Sequence, residues 1–142
     1  MSVSAFLDTN ILLYSISSEP AEQKKKAAAL ALLERTDAGL SVQVLQEFYV
    51  QATRPTRADC LAHELAAGLI RTWTRFAVQP MTLEVLTAAL EIKQRYQLSY
   101  WDSAIVAAAQ ALGCRELYTE DMAHGLTIGS LRIVNPFLPP RA

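Results

Sequence analysis

The sequence predicts an α/β fold, with helices packed around a mostly parallel β-sheet, on three observations. Short apolar runs alternate with longer helical patterns along the whole chain, which is the signature of strand–helix–strand units. The 142 residues hold no repeat, low-complexity tract or Gly/Ser-rich linker. One domain over 1–142 is therefore expected, close to the roughly 150 residues typical of one. Hydrophobic residues make up 51% and charged residues 19%, a composition that buries a real core and excludes a disordered chain.

The elements follow in order. Residues 3–7 read as a short buried strand that stops at Asp8. From Pro20 the pattern turns helical, with Ala27, Leu30, Ala31 and Leu33 inward and Lys24, Lys25 and Lys26 on the wet face. Gly39 is expected to follow that helix's C-cap. Leu40, Ser41 and Val42 suit a brief second strand, and 44–53 a helix presenting Leu45, Phe48, Tyr49 and Ala52 on one face. Pro55 breaks it, and Asp59 is expected to cap the next helix, to about Arg75. Phe76, Ala77 and Val78 form a third strand candidate. Thr82 caps a helix reaching about Tyr96, and Ser99 starts an alanine-rich one ending near Gly113. Residues 116–118 and 131–134 complete the strands.

Charge and cysteine narrow the function classes. Thirteen Lys and Arg against fourteen Asp and Glu leave a net charge of −1, which excludes nucleic-acid binding by bulk positive charge. Cys60 and Cys114 make no disulfide framework and are expected as small core residues in a reducing compartment. Residues 1–8 carry no secretory n-region, and the longest uncharged apolar run, 103–113, falls short of a membrane span. A cytoplasmic protein without a membrane partner is expected.

The informative residues are acids in apolar places. Asp8 closes the strand in Phe6-Leu7-Asp8-Thr9-Asn10, Glu47 sits within Val44-Leu45-Gln46-Glu47-Phe48, and Asp102 stands between Trp101 and Ser103-Ala104-Ile105-Val106. Asp121 directly follows the strand candidate Leu117-Tyr118. A buried carboxylate costs several kcal/mol unless paired or bound to metal. In open parallel sheets, ligands bind beyond the carboxyl ends of strands. Asp8 and Asp121 follow strands, and Glu47 and Asp102 lie near the starts of helices at that same edge. The four are thus expected to converge, although 39, 55 and 19 positions separate them in sequence. With no basic neighbour, they require a divalent cation. A carboxylate-only set without His or Cys points to a hard ion, Mg²⁺ or Mn²⁺.

Each acid also has a plain structural reading. Asp102 completes a capping box begun by Ser99. Asp8-Thr9-Asn10 suits a strand-to-helix turn, Glu47 a wet helix face, and Thr119-Glu120-Asp121 a solvated turn. Four separate explanations would then have to hold at once. Thr9, Asn10, Ser41 and Ser103 are expected to hydrogen-bond the carboxylates or metal-bound water. Arg54 and Arg57 flank Pro55 and suit an RNA backbone or plain solvent exposure. His124 is read as a surface histidine over one acting on substrate, and Tyr49, Trp73, Tyr96 and Trp101 as core or interface packing over a base-stacking platform.

Phe6-Leu7-Asp8-Thr9-Asn10-Ile11-Leu12 resembles the first motif of the PIN-domain family, in particular its small VapC-like toxin ribonucleases. Ser41 to Phe48, Ser99 to Ala108 and Leu117 to Met122 are similar to the second, third and fourth motifs, and Ile133-Val134-Asn135-Pro136-Phe137 to a common ending. The resemblance implies a three-layer α/β/α fold and Mg²⁺- or Mn²⁺-dependent cleavage of RNA phosphodiesters. It carries metal-binding roles onto Asp8, Glu47, Asp102 and Asp121, with Thr9 and Thr119 in support and Glu120 beside Asp121. It also implies a homodimer inhibited by a small antitoxin. Hydrolysis by metal-activated water is the expected mechanism. A housekeeping RNA or DNA nuclease with the same acids, and a non-catalytic module using them as a cation or arginine socket, are the alternatives.

Overall fold

The fold is a computed structural model describing residues 2–139; residues 1 and 140–142 of the expected 1–142 domain lie outside it. Six strands make one sheet in the order β3-β2-β1-β4-β6-β5. They are β1 (Ala5–Leu7), β2 (Ala38–Ser41), β3 (Ala77–Gln79), β4 (Glu116–Tyr118), β5 (Thr127–Ile128) and β6 (Leu131–Val134). All neighbours pair parallel except β5 with β6. The helices are α1 (Thr9–Ser15), α2 (Gln23–Leu33), α3 (Val42–Ala52), α4 (His63–Trp73), α5 (Leu83–Tyr96) and α6 (Tyr100–Ala111). The expected α/β class and mostly parallel sheet are present.

Three layers follow from the strand order. The crossovers from β1 to β2 and from β2 to β3 step one way across the sheet, carrying α1 to α4. The crossover from β3 to β4 steps back past β1, carrying α5 and α6. Right-handed crossovers that step in opposite directions put their helices on opposite faces. Helix contacts fall into the same two groups: α1 meets α2 and α3, α3 meets α4, and α5 pairs with α6. The order reverses between β1 and β4, so the crevice expected at a switch point lies beyond their carboxyl ends.

The core explains why the sheet reads as apolar runs. Every residue of β1 and β2 is buried, as strands covered on both faces must be. Ser103 to Ala109 of α6 are buried without a break, and α6 contacts β2, β3, β4 and β6. Its small alanines let the helix lie close over the sheet. Phe48 and Trp73 meet edge to face at 4.7 Å beneath α4, a geometry aromatic rings prefer. Among the described residues, no helix is long and apolar enough to cross a membrane.

Several expectations need correction. Gly39 ends no helix; α2 stops at Leu33 and Gly39 lies inside β2. A Cβ there would meet Val3 Cγ1 at 2.8 Å and Leu112 Cδ1 at 2.9 Å, so the glycine serves close approach. Asp59 caps nothing, because α4 starts four residues later behind Ala62 with no side-chain cap. Asp59 instead accepts from the backbone N–H of Ser18 and pairs with Arg57 at 2.8 Å. Cys114 is buried, but Cys60 is exposed in the α3–α4 connection, its thiol set against the Thr53 carbonyl at 3.4 Å. Helix α1 and strand β5, absent from the sequence reading, are too short to show a period.

Candidate active site

The site is built on four backbone positions. Asp8 is the first residue past β1 and caps α1, its Oδ1 accepting from the Thr9 N–H at 2.7 Å. Glu47 lies in the second turn of α3. Asp102 stands in the first turn of α6, where its N–H donates to the Ser99 hydroxyl at 3.1 Å. Ser99 therefore supplies its half of the capping box read from sequence, while the Asp102 carboxylate lies within range of the charges of Glu47 and Asp121. Thr119 and Asp121 follow β4. Both strands that meet at the switch point thus deliver residues to one place.

Neutral donors hold the carboxylates. Thr119 donates its hydroxyl to Asp8 Oδ2 at 2.8 Å and accepts from Asn10 Nδ2 and the Asp121 N–H at 3.2 and 3.1 Å. That uses its one proton and both lone pairs. Asn10 also donates to Asp121 Oδ2 at 3.1 Å. Glu47 is gripped at both oxygens, by the Thr9 hydroxyl at 2.7 Å and by Gln43 Nε2 at 3.1 Å. No base takes part in any of these bonds.

The electrostatics carry the mark of that arrangement. Asp8 is only 5% exposed. Burial, then the charges of Glu47 and Asp121, push its carboxyl up to about 7, against hydrogen bonds from Thr9 and Thr119 that pull the other way. Asp102 is also raised, by burial and then by Asp121 and Glu47, with Ser99 opposing. Asp8 and Asp102 therefore each feel the charges of Glu47 and Asp121. Like charges brought together disfavour the ionised form.

The remaining residues singled out from the sequence divide. Thr9, Asn10 and Thr119 touch the acids. Ser41 does not: its hydroxyl accepts from the Val44 N–H at 3.2 Å and caps α3. Ser103 is fully buried, with its hydroxyl unpartnered among the described residues. Glu120 is drawn aside, accepting from Tyr14 and from Lys25 Nζ at 3.0 Å. Lys25, expected on a solvated face, so closes a contact between α2 and the β4 exit. His124 Nδ1 accepts from the Asn135 N–H at 2.9 Å. Trp101 is 62% exposed, so the core half of its core-or-interface reading is not met. Gln43 was missed; its one signal was its place one helical turn before Glu47, where two side chains share a face.

Among the described residues, no three His, Cys, Asp or Glu are grouped so as to wrap an ion by themselves. The donor set still fits Mg²⁺, which keeps most of its water and takes one or two carboxylates. Asp8 and Glu47 each retain lone pairs free of the bonds above, and the buried Asn10 Oδ1 has no partner among the described residues. A cleft of about 380 Å³ opens beside the acids, lined by Asn10, Tyr14, Gln51, Arg57 and Asp121.

A mostly parallel sheet covered by helices on both faces, with acids at its switch point, agrees with the PIN-domain resemblance of the motifs. The chain belongs to that family, whose pattern matches residues 5–124. Among solved structures it is similar to a toxin–antitoxin complex from Klebsiella pneumoniae, at 22% identity, with a TM-score of 0.70 over 94% of this chain and 98% of that one. It is similar to VapC20 of Mycobacterium tuberculosis, described as a sarcin–ricin loop-cleaving toxin, at 22% identity and a TM-score of 0.66 over 83% and 92%. DNA-bound VapBC from Salmonella typhimurium matches at 19% identity and a TM-score of 0.63 over 92% and 96%. At these identities the likeness is one of fold. No curated protein sequence matches the chain.

Proposed function

We propose that this single PIN domain is a metal-dependent endoribonuclease, the toxin of a type II toxin–antitoxin pair acting in the cytoplasm. The observation that carries the reading is the convergence of Asp8, Glu47, Asp102 and Asp121 from four elements, without a compensating base among the described residues. In this reading the four would hold Mg²⁺ or Mn²⁺ together, one or two directly and the others through its bound water. An ion bound there would supply a lowered pKa for water and neutralisation of charge on the scissile phosphate. The chain's own residues do the positioning: Thr119 holds Asp8, Asn10 holds Asp121, and Thr9 holds Glu47. Glu120 and Ser41 support the site from outside, through Lys25 and the start of α3. Family membership and relatives solved as toxin–antitoxin complexes support the biological role.

Two surfaces suit the proposed partners. Leu83, Leu86 and Leu90 are 77%, 36% and 54% exposed and repeat along one side of α5, as an unpaired helix face in a homodimer would. The cleft beside Asp121 is also lined by Glu19, Glu22, Asp59 and Glu120, which favours a basic segment of a small antitoxin. Labelled RNA incubated with Mg²⁺, Mn²⁺ or chelator tests the activity. Cleavage with the ions and none in chelator is expected. An inert protein that binds the ion would leave the non-catalytic module.

A further inference from the structure

We propose that Gln43 is a positioning residue that fixes Glu47 against the start of α6 and so sets the spacing of Glu47 and Asp102. The inference rests on the metal-dependent reading above. Gln43 is 4% exposed in the first turn of α3. Its Nε2 donates to Glu47 Oε1 and to the Trp101 carbonyl, both at 3.1 Å. Trp101 immediately precedes Asp102, so a single amide links two helices that carry acids.

The orientation of that amide is chemically forced. A carboxylate and a carbonyl only accept, so the nitrogen must face them and the oxygen must face away. The oxygen is buried and has no partner among the described residues. Burying an amide without satisfying it costs free energy. Leu or Met would fill the same volume without that cost, so packing alone is a poor reason for a glutamine here. What neither apolar residue supplies is the pair of N–H donors. With Thr9 on the other oxygen, Glu47 is held from two sides and cannot swing away from α6.

The test is Gln43→Met, which keeps length and volume and removes both donors. Mn²⁺ binding is measured by calorimetry, without RNA, alongside melts in chelator and RNA cleavage across an ion titration. Q43M should fold, bind Mn²⁺ about tenfold more weakly, as when a group holding a metal ligand is lost, and recover most of its rate at saturating ion. In an E47Q background it should have no further effect on ion binding, because it acts through Glu47. Should Q43M fail to fold, Gln43→Asn, which keeps the amide but falls short of both partners, should show the same loss. Wild-type affinity in the variant, or equal weakening with and without Glu47, would overturn the proposal. A wild type that neither binds Mn²⁺ nor cleaves RNA sinks the metal reading itself; a wild type that does both beside an unaltered Q43M sinks only the role of Gln43.

Discussion

Asp8 and Asp37 sit on neighbouring parallel strands, one just after β1 and the other just before β2, at opposite edges of the same sheet. At the amino edge, Arg35 clamps Asp37 with Nε to Oδ1 at 2.8 Å and Nη2 to Oδ2 at 2.9 Å. That guanidinium holds the Asp37 carboxyl below its usual range. At the carboxyl edge no base among the described residues answers Asp8, and burial among other acids pushes it up to about 7. One edge is built to be stable as folded. The other is left short of positive charge, which the ion proposed above would supply. Sites that bind are often less stable than they need be for folding alone.

The strongest test of this contrast is activity. Asp8→Asn and Asp102→Asn keep shape while removing charge from the acidic edge. Each should lower RNA cleavage by about two to three orders of magnitude, the scale of losing one charge-stabilising group. Asp37→Asn removes the same charge at the other edge and should leave cleavage unchanged. If Asp102→Asn cleaves at the wild-type rate with its fold intact, the carboxyl edge is not the catalytic one.

The two edges also differed in how far sequence revealed them. Asp8 and Asp102 stood out because a charge in an apolar run needs a reason, and the strand–helix alternation placed them at one edge. Thr82 and Ser99 announced α5 and α6 because caps are local chemistry. Gly39 misled, since glycine after a helical pattern reads as a stop, and only the approach of Val3 and Leu112 explains it. Glu120 and Gln43 were illegible for a shared reason. Their roles depend on partners distant in sequence, Lys25 95 positions away and the Trp101 carbonyl 58 away. Asp37 drew no notice because a charge beside a loop is ordinary.

A smaller effect is expected in stability without metal. With its carboxyl raised from 3.8 to about 7, Asp8 is ionised more readily in the unfolded chain than in the native one. Its contribution is therefore fully present below about 4 and is lost as pH rises through 7. Asp8→Asn removes that loss but gives up the bond from Thr119, worth about 1 kcal/mol. The net expectation in chelator is a variant more stable than wild type by about 1 kcal/mol at pH 8. The difference should shrink or reverse at pH 4. Mg²⁺ should raise the melting temperature of wild type more than that of the variant, by mass action on the folded site. Melts at both pH values, with and without ion, decide it; equal responses to Mg²⁺ would mean that Asp8 holds no ion.

The smallest effect belongs to the amino edge. Arg35→Met leaves Asp37 without its partner and frees the Tyr118 hydroxyl from Arg35 Nη1, now 3.1 Å away. Arg35 and Asp37 are each about one-third exposed, so water screens the pair and the loss should stay at or below about 1 kcal/mol near pH 7. Its pH dependence should run opposite to that of Asp8. A lowered carboxyl stabilises the fold above its ordinary pKa, and that stability fades as pH falls below about 4. The variant and wild type should therefore converge in acid, where the Asp8 pair of proteins also draw together for the contrary reason. Cleavage offers the sharper check, because Tyr118 is the last residue of β4 and the next, Thr119, holds Asp8. If charge at one edge is independent of the other, Arg35→Met cleaves as wild type does. A drop in rate, with Mn²⁺ affinity falling in step, would instead mean that β4 carries strain from Arg35 to Asp8 and that the two edges form one coupled unit.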